Sequence, residues 1–193
     1  MRICRLAKAL VVAVAAVAAT ASCGSEPEVE LNPELQAELV EMQAVDQAER
    51  TGQVAGNGDR ERTDRLAEII SEFGWPTRSL VGTDGATAAW VIAQHSDQDV
   101  AFQERALELM REAVQDDEAD PTELAYLEDR VATNRGEPQT YGTQIGCVGG
   151  EATPGPIADE DGVDERRAEA GLQPLADYLA ELTEVCAQEL EDE

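Results

Sequence analysis

Residues 84–95 read Asp-Gly-Ala-Thr-Ala-Ala-Trp-Val-Ile-Ala-Gln-His and give the strongest indication of the fold. Its apolar side chains recur on nearly every face of a helix, a pattern that is typical of a helix buried all round. Asp84 can cap the start of this helix, and the apolar pattern ends near His95. A helix of this kind needs neighbours on every side, so we expect it to be central.

Amphipathic segments on both sides of this stretch supply the neighbours. Helical spacing, with N-caps, prolines and stop glycines at the ends, predicts helices over about 33–50, 59–73, 97–115, 121–135, 163–170 and 174–190. The glycine- and proline-rich stretch near 141–157 breaks the pattern. We therefore expect an all-α fold of five or six packed helices, with a small β-hairpin or irregular insert near 141–157. Residues 32–190 form a single helical domain in this prediction.

The first 22 residues have the order of an export signal. Basic residues up to Lys8 precede an uninterrupted apolar run over 9–19, and small residues lead to Cys23. The apolar run is roughly 16 Å long as a helix, too short for a bilayer core of about 30 Å. Cys23 resembles the acylated cysteine of the bacterial lipobox, although Thr20 stands where lipoproteins usually have an aliphatic residue.

This leader predicts the location of the protein. We expect removal of residues 1–22, a lipid on Cys23 that attaches the chain to the membrane, and an acidic tether over 23–31. The domain would then lie on the extracytoplasmic face of the cell membrane. The alternative uses Ala19-Thr20-Ala21 as an ordinary signal-peptidase site and gives a soluble secreted protein that starts at Ser22.

The charge of the chain restricts its partners. The formal net charge is −27 at pH 7, with 41 acidic and 14 basic residues. Removal of the leader takes away basic residues only, which leaves a charge near −30. Phosphate groups and anionic lipid headgroups are repelled by such a surface. We therefore expect no nucleic-acid partner, and a membrane attachment that depends on lipid rather than on basic residues.

Four cysteines have three predicted fates. Cys4 leaves with the signal and Cys23 takes the lipid, so Cys147 and Cys186 remain in the folded part. In an oxidising compartment such a pair usually forms a disulfide, worth roughly 4 kcal/mol in the chain-entropy model. A metal site needs more ligands than this pair, and the single histidine, His95, is far away in sequence. The acidic clusters do not fit a calcium loop, so we predict no metal and no cofactor.

A consistent series of short motifs runs along the mature chain. It comprises Asp46-Gln47 with Arg50, Gly74-Trp75-Pro76, Ser79-Leu80-Val81-Gly82, Ala88-Ala89-Trp90, Gln94-His95 with Asp97, Phe102-Gln103, Ala125-Tyr126-Leu127, Asp129-Arg130, Tyr141-Gly142-Thr143-Gln144, Pro156-Ile157, Val163-Asp164 and Arg166-Arg167. In this order the motifs resemble a bacterial family called domain of unknown function 6624, over about residues 38–182. The resemblance implies a mainly helical domain with no assigned activity.

His95 is the main candidate for chemistry, because it is the only imidazole. It could be a general base or proton shuttle oriented by Asp97 or by a backbone carbonyl, with Arg130 as a further candidate. The preferred interpretation is a capping or packing histidine satisfied by local hydrogen bonds. The acidic surroundings favour imidazolium, which counts against a base at neutral pH. No nucleophile motif accompanies His95.

Polar residues on otherwise apolar helices suggest a ligand pocket. If helices one, three and five pack together, these residues could converge: Gln47, Arg50, Gln94, His95, Tyr141 and Gln144. The alternative is that Arg50 and Arg130 make ordinary helix pairs with Asp46 and Tyr126, four residues earlier.

Three functions remain open from the sequence. The preferred one is a lipid-anchored extracytoplasmic module of unknown activity that binds a small-molecule or protein partner. The second is a small hydrolase or transferase that uses His95, a carboxylate and Arg130. The third is a secreted or surface antigen-like protein without a ligand.

Overall fold

The computed structural model describes residues 30–191 and shows a mostly helical fold. The elements in chain order are α1 (Pro33–Arg50), α2 (Asp59–Phe73), α3 (Arg78–Gln94), α4 (Val100–Gln115), α5 (Pro121–Asn134), β1 (Ile145–Val148), β2 (Glu151–Pro154), α6 (Val163–Glu169) and α7 (Leu175–Glu191). Within this range there are seven helices, not five or six. α6 and α7 are separate helices, as predicted over 163–170 and 174–190, and Gly171 adopts a φ of +76° between them. The predicted signal, Cys23 and tether residues 23–29 lie outside the described residues.

The central position predicted for the third helix is confirmed. α3 contacts α1, α2, α4 and α5, and Ala88, Ala89 and Ala93 on it are fully buried. Small alanine side chains on a central helix let its neighbours approach closely.

The start of α3 differs from the prediction. The helix begins at Arg78, capped by Thr77, whose hydroxyl accepts a hydrogen bond from the backbone N–H of Leu80 at 3.3 Å. Gly82, with φ +67° and ψ 172°, interrupts it. Asp84 therefore lies at the start of the second segment of α3, after the break at Gly82, and not at the start of the whole helix.

The ends of α1 and α2 are confirmed as predicted, at Pro33–Arg50 and Asp59–Phe73. α4 starts later than predicted, because Asp99 rather than Asp97 caps it. The Asp99 carboxylate accepts from the backbone N–H of Phe102 at 3.0 Å. Asp97 thus lies outside the helix, where its side chain is available for another partner.

The core lies where α1 to α5 meet. Its largest fully buried apolar side chains are Leu39, Leu66, Ile69, Val81, Ile92, Phe102, Met110 and Leu127. Burial of each such side chain contributes about 1.5–3 kcal/mol, so this cluster is the main source of stability. Among the described residues, none of the helices combines the length and apolarity needed to cross a bilayer.

The predicted hairpin and disulfide are both present. β1 and β2 pair antiparallel across Gly149-Gly150, two residues with positive φ, as a two-residue hairpin turn requires. The hairpin packs against α7. Cys147 in β1 is bonded to Cys186 in α7, with their Cα atoms 5.4 Å apart.

A buried carboxylate fixes the segment that leads into the hairpin. Asp129 is fully buried and accepts hydrogen bonds from the backbone N–H groups of Thr140, Tyr141 and Thr143 at 2.6, 3.0 and 2.8 Å. The Thr143 hydroxyl donates a fourth at 3.0 Å. Asp129 therefore sets the position of Gln144, the next residue in the chain.

Candidate functional site

The site centres on His95, at the C-terminal end of α3, and Asp46 in α1. The imidazole Nδ1 lies 2.7 Å from Oδ2 of Asp46. Asp46 is fully buried, whereas the His95 side chain is 22% exposed. The contact between α1 and α3 thus places a buried carboxylate behind a partly exposed imidazole.

Two groups compete for Nδ1. Nε of Arg50 lies 3.0 Å from Nδ1, and also 3.3 and 3.2 Å from the two carboxylate oxygens of Asp46. A carboxylate only accepts hydrogen bonds, so a lone pair on Nδ1 at 2.7 Å from Asp46 would be repelled. We therefore assign the proton of neutral His95 to Nδ1, which donates to Asp46, while Arg50 donates to Asp46.

This assignment leaves Nε2 of His95 as the acceptor. Nothing in residues 30–191 hydrogen-bonds to Nε2, so its lone pair is free to accept a proton. An imidazole held by a carboxylate through one nitrogen and presenting the other is the arrangement used in general-base catalysis.

The pKa of His95 is lowered, contrary to the expectation from the acidic composition. Burial is the largest cause, and the positive charges of Arg50 and Arg130 lower this pKa further. The charge of Asp46 and its hydrogen bond raise the pKa but do not outweigh the other effects. The imidazole is thus neutral at neutral pH, the form that can accept a proton.

The guanidinium groups near Asp46 are all paired with carboxylates. Arg50 binds Asp46 and, through Nη2, Asp59 at 3.0 Å. Nη2 of Arg62 lies 2.8 Å from Glu49 and from Asp59, and 3.4 Å from Asp46. This network fixes Asp46 without leaving an uncompensated positive charge.

Asp97 belongs to a second polar cluster. It forms an ion pair with Arg130 of α5 and accepts from Nδ2 of Asn134 at 2.8 Å. Burial raises the pKa of Asp97, but the hydrogen bonds from Arg130 and Asn134 outweigh burial and lower it. Arg130 also donates to Oε1 of Gln144 at 3.1 Å. Asp97 is therefore a partner of Arg130 and does not orient His95 as predicted. Asp46 is the carboxylate that contacts His95 instead.

The structure brings together only part of the predicted pocket. Gln47 donates to Asp46 at 3.0 Å, so Gln47 and Arg50 both reach the carboxylate that binds His95. Gln144 joins Arg130 in the second cluster. The Tyr141 hydroxyl forms no hydrogen bond with either set among the residues described.

Two surface cavities adjoin these clusters. One of about 230 Å³ is lined by Glu49, Arg50, Gly56, Asn57, Asp59 and Arg62. The other, of about 220 Å³, has Thr133, Gln139, Gln144 and Pro156 in its wall. Within residues 30–191, no group of three or more histidine, cysteine and acidic side chains is placed to hold a metal ion.

Sequence reasoning missed Asp46 as the partner of His95. The only local signal was the spacing of Asp46 and Arg50 on one helix face, which favours an ordinary helix pair. That pair exists at 3.2 Å, but Asp46 also reaches across to α3. Nothing in the sequence indicates how far α1 and α3 approach each other at these residues.

Comparison with known proteins identifies the domain. The model of the Family of unknown function (DUF6624) matches residues 45–190, which include Asp46, His95 and Arg130. Searches of curated proteins and of solved structures gave no match. The match covers most of the chain, and the chain therefore belongs to the DUF6624 family.

Proposed function

We propose that the domain is a hydrolase in which His95 is the general base. The observation that carries the proposal is the 2.7 Å contact between Nδ1 of His95 and the buried carboxylate of Asp46. The lowered pKa of His95 supports it, because a base must be unprotonated at the working pH.

Water is the nucleophile in this proposal. No serine, threonine or cysteine side chain in the described part of the chain hydrogen-bonds to His95. Nε2 takes a proton from a water molecule as the water oxygen bonds to the electrophilic atom of the substrate. The imidazolium then returns that proton to the leaving group as the bond between the attacked atom and the leaving group breaks, and Asp46 stabilises the transient positive charge.

The second candidate is a module that binds a ligand without turnover. In residues 30–191, no serine, threonine or cysteine side chain hydrogen-bonds to His95, and Oε1 of Gln94 has no hydrogen-bond partner; both observations favour binding without turnover. In this case His95 would be a hydrogen-bond acceptor for the ligand.

We further propose that the protein is exported and attached to the membrane by a lipid on Cys23. The order of the leader supports this location, and a disulfide fits an oxidising compartment. Mass spectrometry of the mature N-terminus tests the anchor. A peptide that begins at an acylated Cys23 is expected, whereas an unmodified chain that begins at Ser22 would establish the soluble secreted form.

Hydrolysis of p-nitrophenyl acetate tests the catalytic proposal without knowledge of the natural substrate. We expect the folded protein to exceed H95Q by about 10²–10⁴-fold, the usual contribution of a positioned base. Asp46→Asn should also reduce the rate, because it removes the group that orients His95. Asp64→Asn is the matched control, since Asp64 forms an exposed pair with Arg60 on α2. Equal rates for wild type and H95Q would contradict the hydrolase and favour the binding module.

A further inference from the structure

The connection between α1 and α2 contains the sequence Gly56-Asn57-Gly58. Residues 51–57 are all exposed to solvent. The side-chain amide of Asn57 forms no hydrogen bond within residues 30–191, so no neighbour holds it in one position. Water and its own backbone can therefore both reach this amide.

An asparagine that is followed by glycine can lose its amide without an enzyme. The backbone nitrogen of the glycine bonds to Cγ of the asparagine, and the bond between Cγ and Nδ2 breaks. The amide leaves as ammonia, with the proton that the backbone nitrogen loses. Water then opens the resulting succinimide at either carbonyl, which gives aspartate or isoaspartate. Glycine favours this attack because it has no Cβ to obstruct the approach.

The other asparagines of the chain are unsuited to this reaction. Asn32 precedes Pro33, which has no backbone N–H to lose. Asn134 precedes Arg135, whose side chain obstructs the attack. Nδ2 of Asn134 is also hydrogen-bonded to Asp97 at 2.8 Å. Asn57 is therefore the asparagine at which the sequence and the surroundings both permit deamidation.

Glu49 in α1 restrains the attacking nitrogen. Its Oε2 accepts from the backbone N–H of Gly58 at 3.0 Å and from Arg62 at 2.8 Å. The hydrogen bond from Gly58 is the largest cause of the lowered pKa of Glu49, which is therefore ionised at neutral pH. A neighbouring negative charge disfavours loss of the Gly58 proton. Attack on Asn57 thus requires this contact to open.

The position of Asn57 gives its deamidation a consequence. Asn57 lies in the wall of the 230 Å³ cavity, together with Arg50 and Asp59. Nε of Arg50 is 3.0 Å from Nδ1 of His95. A carboxylate at position 57 would therefore add a negative charge to a cavity that shares Arg50 with the His95 site.

We propose that Asn57 is a site of spontaneous deamidation, that the contact between Glu49 and Gly58 restrains the reaction, and that the product adds a carboxylate to the cavity beside Arg50. The inference goes beyond the proposed function, because neither the reaction nor its measurement requires hydrolysis by His95.

Peptide mapping by mass spectrometry tests the modification in the full chain. The folded protein is incubated at mildly alkaline pH and sampled over time. We expect the peptide with Asn57 to gain the mass of an amide-to-acid conversion and to separate into aspartate and isoaspartate forms. The peptide with Asn134 should stay unchanged, and N57Q should abolish the conversion. Conversion of Asn57 no faster than that of Asn134 would overturn the inference.

Variants of Glu49 test the restraint. Glu49→Ala should accelerate the conversion by about tenfold, the factor expected for loss of a hydrogen bond to a charged group. Glu49→Gln keeps an acceptor without the charge and should give an intermediate rate. Glu41→Ala is the matched control, because Glu41 is exposed on the same helix and forms no ion pair within residues 30–191. The unfolding temperature of each variant shows whether the fold is retained. Equal rates for wild type, Glu49→Ala and Glu41→Ala would overturn the restraint.

N57D reproduces the aspartate product and tests its effect on the cavity. The His95 pKa, measured from the imidazole signals, should be higher in N57D than in wild type, because an added negative charge favours imidazolium. Gln53→Glu adds the same charge to the same exposed connection but outside the cavity wall, so it should shift this pKa less. Equal pKa values for N57D and wild type, or equal shifts for N57D and Gln53→Glu, would overturn the link between Asn57 and Arg50.

Discussion

The imidazole of His95 and the carboxylate of Asp46 lie 2.7 Å apart, although 49 positions separate them in the sequence. Asp46 is fully buried and His95 is partly exposed. The carboxylate therefore holds the imidazole through Nδ1, and Nε2 has no hydrogen-bond partner among residues 30–191. This relationship has consequences that can be measured on a protein with a single histidine.

The tautomer of His95 is the most direct prediction. At a pH above its pKa, the imidazole should carry its proton on Nδ1, because Asp46 accepts from that nitrogen. Imidazole ¹⁵N spectra distinguish the two tautomers, and one histidine gives one set of signals. Asp46→Asn should increase the Nε2–H form, whereas Asp64→Asn should leave the spectrum unchanged. A wild-type spectrum dominated by Nε2–H would contradict the assignment.

The pH dependence of stability follows from the lowered pKa of His95. Its pKa in the folded state lies below the ordinary value of 6.5, so between these two values the unfolded chain binds more protons. The free energy of unfolding should therefore decrease as the pH falls from about 6.5 through the folded-state pKa.

H95Q isolates the contribution of His95, because the free energy of unfolding of this variant should lack the pH dependence that His95 protonation causes. Arg50→Gln should raise the His95 pKa in the folded state, since the Arg50 charge lowers it. The pH range over which stability changes, between this pKa and 6.5, should therefore become narrower. Urea denaturation at a series of pH values measures both effects. A difference between wild type and H95Q that is constant from neutral to mildly acidic pH would contradict a lowered pKa.

Asp129→Asn should destabilise the protein by about 2–3 kcal/mol, because an amide cannot accept all four hydrogen bonds and leaves buried donors unpaired. Amide hydrogen exchange should increase over residues 140–144, the segment that Asp129 fixes. Asp64→Asn breaks only an exposed ion pair and should cost less than about 1 kcal/mol. Similar losses for the two variants would show that Asp129 has no special role.

Reduction of the Cys147–Cys186 disulfide should lower the free energy of unfolding by about 4 kcal/mol, since the bond closes a loop with a sequence separation of 39. Denaturant unfolding with and without reductant measures this loss. The double variant Cys147→Ser/Cys186→Ser should behave like the reduced protein and be insensitive to reductant. Stoichiometric thiol labelling of both cysteines in denatured, unreduced protein would show that the bond does not form.

Local signals predicted the helices well where they were unambiguous. Asn32 and Pro33 at the start of α1, and Gly74 after α2, define ends that the structure confirms. The predicted start of α4 at residue 97 was wrong, because Asp99, which is as suitable an N-cap by residue type as Asp97, caps the helix and Val100 is its first residue. The tertiary contact of Asp97 with Arg130 leaves Asp99 as the cap.

A helical domain around an apolar third helix, a small hairpin or irregular insert near 141–157, and the pairing of the two cysteines in the folded part could all be predicted from the sequence alone. The helices follow from hydrophobic periodicity and the insert from its turn residues. The cysteine pair follows because Cys4 and Cys23 are assigned to the signal and the lipid. All of these signals are local or compositional. The tertiary fold was needed to show that Asp46, not Asp97, contacts His95, and that the His95 pKa is lowered. Both depend on how closely α1, α3 and α5 approach and on which charges burial brings together, and neither distance nor burial is encoded at any single position.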